Sequence, residues 1–119
     1  MGYESKIFVV KKSNLHPEPD GVYAEVIASI RLSKIGGRPA CFKRPTNCFI
    51  YADDGDTHIT KDEYGDPLYE CSVNECFHWL QDTMMKAGGD YWRYYILDGI
   101  LRGIPESIED KLVCLHYGY

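Results

Sequence analysis

The chain has 119 residues, 45% of them apolar and 26% charged, with a formal net charge of −5. That length supports one hydrophobic core of ordinary size and excludes a multi-lobed enzyme. The balance is that of a globular chain and excludes a disordered one, and no apolar run approaches the length of a membrane span.

Residues 1–119 are expected to form a single domain. Residues 1–6 lack the pattern of a secretion leader, so the expected location is cytoplasmic. The first element is Lys6-Ile7-Phe8-Val9-Val10, β-rich and apolar on both faces, which predicts an inner strand closed by the turn-rich Pro17-Glu18-Pro19-Asp20-Gly21. From 22 to 32 apolar residues alternate, with Val22, Ala24, Val26, Ala28, Ile30 and Leu32 expected on one face and Ile27 as the exception. This predicts a half-buried strand that pairs with the first. The stretch 36–45 combines Gly36, Gly37, Pro39 and Pro45 with basic residues and reads as an exposed loop.

Strand-like residues 47–53 meet a hairpin turn at Asp54-Gly55 and a returning strand at 57–60. A second turn at Tyr64-Gly65-Asp66-Pro67 leads to a short extended run at 68–71. Ser72 and Glu75 form the S-x-x-E box that caps a helix, whose apolar face is Val73, Cys76, Phe77, Leu80 and Met84 and whose end is expected at Gly88. Asp90 is placed to cap a second helix over 91–102, ended by Gly103 and Pro105. That helix is apolar on two sides, with Tyr94, Leu97 and Leu101 on one and Trp92, Ile96 and Ile100 on the other. The second stripe is a candidate oligomer interface, with a homodimer as its simplest form. A strand over 111–117 closes the chain, Val113 and Leu115 on one face and Leu112, Cys114 and His116 on the other. The predicted order is ββββααβ, an α+β fold in which a small, mostly antiparallel sheet packs against a helical pair.

Charge is segregated along the chain. Arg31, Lys34, Arg38, Lys43 and Arg44 fall together without an acid, whereas Asp53, Asp54, Asp56, Asp62, Glu63 and Asp66 fall together with only Lys61. The acidic run, interleaved with Tyr51, Tyr64 and Tyr69, offers carboxylates that compete for the basic surface of a nucleic-acid-binding protein. Within the basic run, Arg38, Phe42, Lys43 and Arg44 are candidate anion or nucleotide ligands, because such sites combine cations with a stacking ring.

Other chemistry fits less well. The Tyr51-Ala52-Asp53-Asp54 motif resembles the palm motif of reverse transcriptases, whose paired carboxylates hold magnesium, but the chain has no room for the rest of that site. A calcium loop starting at Asp54 would need Gly and Glu where Ile59 and Gly65 stand. Five cysteines without a C-x-x-C pair argue against a disulfide framework. A zinc site would have to recruit Cys71, Cys76 and His78 with Cys41 or Cys48, so no metal and no cofactor are expected. Cys114 and His116 share a strand face, but nothing in the sequence orients the imidazole for catalysis.

Residues 1–6 (MGYESK), the central Ile50-Tyr51-Ala52-Asp53-Asp54-Gly55 and the closing Leu115-His116-Tyr117-Gly118-Tyr119 together resemble small proteins encoded in phages and prophages of Gram-positive bacteria. The resemblance implies no catalytic residues. It implies a non-enzymatic antagonist of a bacterial host defence protein, such as a CRISPR nuclease whose basic channel holds nucleic acid, acting in the cytoplasm of the infected cell. The expected partner-binding residues are Tyr51, Asp53, Asp54, Asp56, Asp62, Glu63, Tyr64 and Asp66. The competing expectation is a sponge for a nucleotide signal, held at an oligomer interface.

Overall fold

A computed structural model describes residues 4–13, 19, 21–33, 37–86 and 92–119. The apolar run at the start forms β1 (Ser5–Lys12), which lies between β2 (Val22–Ser33) and β7 (Leu112–Gly118) and is antiparallel to both. Its apolar character on both faces follows from that central place, because each face of β1 meets a separate core. The remaining strands are β3 (Arg44–Pro45), β4 (Cys48–Tyr51), β5 (His58–Ile59) and β6 (Tyr69–Ser72). The helices are α1 (Val73–Lys86), α2 (Trp92–Arg102) and α3 (Glu106–Glu109). The sheet order is β3-β6-β7-β1-β2-β4-β5, antiparallel except where β4 runs parallel to β2.

The α+β class is as expected, but the element order is not ββββααβ. Six strands precede three helices and a seventh strand. The stretch read as an exposed loop contains β3, whose Arg44 and Pro45 pair with Glu70 and Tyr69, and the run at 68–71 becomes a full sheet member through its pairing with β7. Within the same stretch Cys41 and Phe42 are buried. The expected helix boundaries at Gly88 and Asp90 lie outside the described residues, as do Gly36, Lys34 and His16.

β3 and β4 stand first and sixth in the sheet, yet only Thr46 and Asn47 separate them in the chain. The sheet therefore curls back on itself, and the Thr46 amide closes the gap by donating to the Leu68 carbonyl at 2.8 Å. One core lies within the curl and gathers Val10, Ala24, Cys48, Ile50, Leu68 and Leu115. The other lies under the helices and gathers Ile7, Val9, Leu32, Phe42, Leu80, Tyr94, Leu97 and Leu101 with four cysteines.

The alternating apolar residues of β2 do not share one face. Val9 pairs with Ala28 and Val10 with Val26, so Ile27 is an extra residue in a β-bulge. Side chains alternate with period two, and one inserted residue reverses the parity of everything beyond it. Ala24 accordingly enters the core inside the curl, whereas Ala28, Ile30 and Leu32 join the core beneath the helices. Ile27 itself is exposed.

The capping box forms as the sequence predicts. The Glu75 amide donates to Ser72 Oγ at 3.0 Å and the Ser72 amide to Glu75 Oε1 at 2.9 Å. Arg44 of β3 also reaches Glu75 at 2.9 Å, so the box ties the helix start to the sheet. Ser72→Ala removes one capping acceptor, and urea unfolding is expected to show a loss of about 1 kcal/mol. On α2 the inner stripe of Tyr94, Leu97 and Leu101 is buried, as expected. Among the described residues no helix is long and apolar enough to cross a membrane.

Candidate functional site

The acidic segment folds as two successive tight turns. The first joins β4 to β5, with Gly55 at φ +77° and its amide donating to the Ala52 carbonyl at 2.9 Å. Asp54 braces this turn. Its Oδ1 accepts the amides of Asp56 at 2.9 Å and Thr57 at 2.8 Å, and its Oδ2 accepts the Thr57 hydroxyl. The Thr57 hydroxyl and amide, followed by the Asp56 amide, hold the Asp54 carboxyl down to about 2. The folded state therefore binds this proton less tightly than the unfolded chain. The stabilisation is complete above the ordinary aspartate range near 3.8 and disappears as pH falls toward 2. A carboxyl-detected NMR titration is expected to place the Asp54 midpoint near 2, and Thr57→Val is expected to move it upward.

The second turn spans 62–65 rather than the expected 64–67, with the Gly65 amide donating to the Asp62 carbonyl at 3.1 Å. The shift has a local cause: Asp62 Oδ1 accepts the amides of Tyr64 and Asp66, which nucleates the turn at Asp62. The Glu63 amide donates to the Gly118 carbonyl at 3.0 Å and the Tyr117 hydroxyl approaches Glu63 Oε1 at 3.4 Å, fastening this turn to the end of β7.

The eight residues expected to bind a partner thus divide by role. Asp54 and Asp62 shape the two turns through their own carboxylates. Asp53, Asp56, Glu63 and Asp66 are exposed around them. Tyr51 packs edge-on against His58 and Phe49 and tilts onto Tyr23, so it is a support of the first turn as well as part of its surface. Tyr64 is 53% exposed. In the Tyr51-Ala52-Asp53-Asp54 motif, the second carboxylate is a turn former rather than one of two converging metal ligands.

Among the described residues no cation of the basic segment forms an ion pair with these turns. Arg44 pairs with Glu75 and Arg31 with Glu4. Arg38 lies over the ring of Tyr69, 3.6 Å from its centroid. Lys43 is exposed. Phe42, expected as a stacking ring in an exposed loop, is 1% exposed because the turn at 39–42 folds it into the core beneath the helices. The structure therefore does not bring Arg38, Phe42, Lys43 and Arg44 together as one ligand site. A different groove of about 300 Å3 is lined by Lys6, Arg31, Glu63, Tyr117 and Tyr119. Neither Lys6 nor the two tyrosines stood out in the sequence, because three strands and a turn bring them together.

On α2, Trp92 and Ile96 are exposed while Ile100 packs partly against the core beneath the helices, so the second stripe is narrower than expected. Tyr95, 62% exposed, adds to it. His116 is buried, with Nε2 2.8 Å from Ser5 Oγ and its ring 5.5 Å from that of Phe42. Burial, with Arg38 adding to it, lowers its pKa to about 4, which keeps the imidazole neutral. This buried pair is sealed from a substrate.

Beneath the helices, Cys41, Cys71 and Cys76 bring their sulfurs within 4.8 Å of one another, and all three are buried. Cys71 stands opposite Cys114 across the β6–β7 pairing, and Cys114 is buried in the same core, outside that triangle of sulfurs. Sequence spacing offered the loose Cys71-x4-Cys76-x-His78 pattern, with Cys41 or Cys48 as a further ligand. Cys41 arrives on the turn at 39–42 and Cys114 through strand pairing, neither of which leaves a local signature. His78 is exposed and Cys48 lies in the other core, so neither joins the cluster.

Comparison with protein-family models, curated proteins and solved structures finds no match.

Proposed function

We propose that the protein is a non-catalytic binding protein that presents its two acidic turns to the basic surface of a nucleic-acid-binding protein, a bacterial defence nuclease being the partner in view. The observation that carries this reading is that the negative charge is left unspent. Among the described residues Asp53 and Asp56 form no ion pair, while Arg31 and Arg44 are satisfied by other acids. Two braced turns hold the carboxylates on short loops, so little ordering cost is added on binding. Tyr64 supplies exposed aromatic area beside them.

The test is a charge reversal that spares both turn formers. Asp53→Lys, Asp56→Lys and Glu63→Lys are combined, and the tagged protein is passed through a bacterial lysate supplemented with an RNA-guided nuclease. The wild type is expected to retain a stoichiometric partner that high salt releases, and the triple variant to bind it at least about tenfold more weakly, since like charges across an interface repel. Equal retention of that partner by both proteins would remove the acidic turns from the mechanism.

A second reading rests on the groove lined by Lys6, Arg31, Glu63, Tyr117 and Tyr119, where Lys6, the guanidinium that Arg31 shares with Glu4, and two rings offer part of the chemistry of a nucleotide site, with Glu63 selecting against the most highly charged phosphates. It requires measurable heat on titration with cyclic or dinucleotide ligands, lost in Arg31→Ala. No heat from any of them rules out the sponge.

A further inference from the structure

The geometry points to a zinc site formed by Cys41, Cys71, Cys76 and Cys114, a structural tetrathiolate centre that locks α1, the β6–β7 pair and the turn at 39–42 together. Four separate segments deliver these sulfurs to one place, and Cys48 alone of the five cysteines is elsewhere. A buried thiol with only a packing role behaves as a small apolar group, whereas here three sulfurs stand within 4.8 Å of one another with Cys114 in the same core. A disulfide needs two sulfurs. A tetrahedral zinc ion needs four, at bond lengths that set neighbouring sulfurs about 3.8 Å apart. The triangle of Cys41, Cys71 and Cys76, with every edge within 4.8 Å, is already close to that size.

The surroundings suit a soft divalent cation. Cys76 lies in the first turn of α1, where free backbone N–H groups and the helix dipole favour a thiolate. Ser72, next to Cys71, and Glu75, next to Cys76, are locked by the capping box, so the backbone carrying two of the four ligands is fixed before metal arrives. The β6–β7 register fixes Cys114 against Cys71 in the same way. Four thiolates without oxygen ligands select zinc over magnesium or calcium. On binding, each ligating thiol loses its proton to solvent and donates a lone pair to the ion; no sulfur changes oxidation state.

The role is structural, because four protein ligands leave no open position for substrate.

The full chain, purified under reducing conditions without chelator, is expected to carry about one zinc ion per molecule by elemental mass spectrometry. Chain expressed with cobalt in place of zinc is expected to show sulfur-to-cobalt charge-transfer absorption and the intense visible bands of a tetrahedral site. Cys41→Ser and Cys114→Ser should each weaken zinc binding about a hundredfold or more, whereas Cys48→Ser should leave it unchanged. Since a cysteine variant can also fail to fold, the wild-type readouts decide by themselves. Metal-free native protein with five titratable thiols, or a Cys71–Cys114 disulfide found by mass, would overturn the assignment. Equal loss of zinc in Cys48→Ser would overturn the ligand set.

Discussion

Gly21→Ala is expected to cost about 3 kcal/mol, measured as a shift of the urea midpoint at unchanged slope. Two effects add at this position. Gly21 has φ +119°, outside the range open to residues with a Cβ. A Cβ built there would also stand 2.3 Å from the Asn47 carbonyl oxygen, a backbone atom with nowhere to retreat. That carbonyl accepts the Val22 amide at 2.8 Å, and the parallel pairing of Val22 with Cys48 begins there. Pushing the two apart would open the curl at the point where β2 hands over to β4. Gly55→Ala is the matched control: its φ is +77°, but nothing lies within 4 Å of the added carbon. Strain alone should then cost about 1 kcal/mol. Equal costs at the two sites would show that the close approach to Asn47 contributes nothing.

The second large effect is expected from Phe49→Ala, about 3–5 kcal/mol, with Phe49→Leu costing much less. Phe49 is fully buried on the opposite face of β4 from Cys48 and Ile50. Its ring stacks on His58 at 3.9 Å and meets Tyr23 and Tyr51 edge-on. Removing it leaves a cavity beneath both strands of the first acidic hairpin. The loss should therefore appear in partner binding as well as in urea unfolding. Leu80→Ala, of similar burial under the helices, should destabilise the fold by about 2–5 kcal/mol without this effect on binding. Identical binding by Phe49→Ala and Leu80→Ala, measured under conditions where both are folded, would show that the aromatic cluster does not support the turns.

Local signals in the sequence carried well into the structure. The inner strand, its antiparallel partner and the capped first helix each depend on residues within a few positions of one another, and each forms nearly as read. What the sequence hid was non-local. Ile27 looked like a lapse in an alternating strand, and only the register with β1 shows that it redirects half of β2 into another core. β3 is two residues long and contains proline, so no periodicity could reveal it. α3, at Glu106–Glu109, is a single turn after Pro105 and too short for a hydrophobic face. The acidic residues were legible as charge, but the division between Asp54 and Asp62, which build the turns, and their exposed neighbours depends on which amides each carboxylate meets. The cysteine cluster was the least legible feature, since the sulfurs of Cys41, Cys71 and Cys76 converge, with Cys114 in the same core, only once the sheet has closed.

The bulge at Ile27 has a further consequence for association. Beyond Tyr23, β2 has a strand neighbour on β1 alone among the described residues, which leaves one margin of a long strand without a ladder. Such a margin is a template on which another chain can add a strand, the usual route to aggregation of sheet proteins. Here the extra residue breaks the regular spacing of donors and acceptors midway, Glu25 and Arg31 place charge on either side of it, and Arg93 of α2 occupies the Arg31 carbonyl at 3.2 Å. Strand addition is thereby discouraged without any residue of the acidic turns taking part. Under the proposed function, recognition of a partner would then be left to side chains, which can discriminate between surfaces as an exposed backbone cannot.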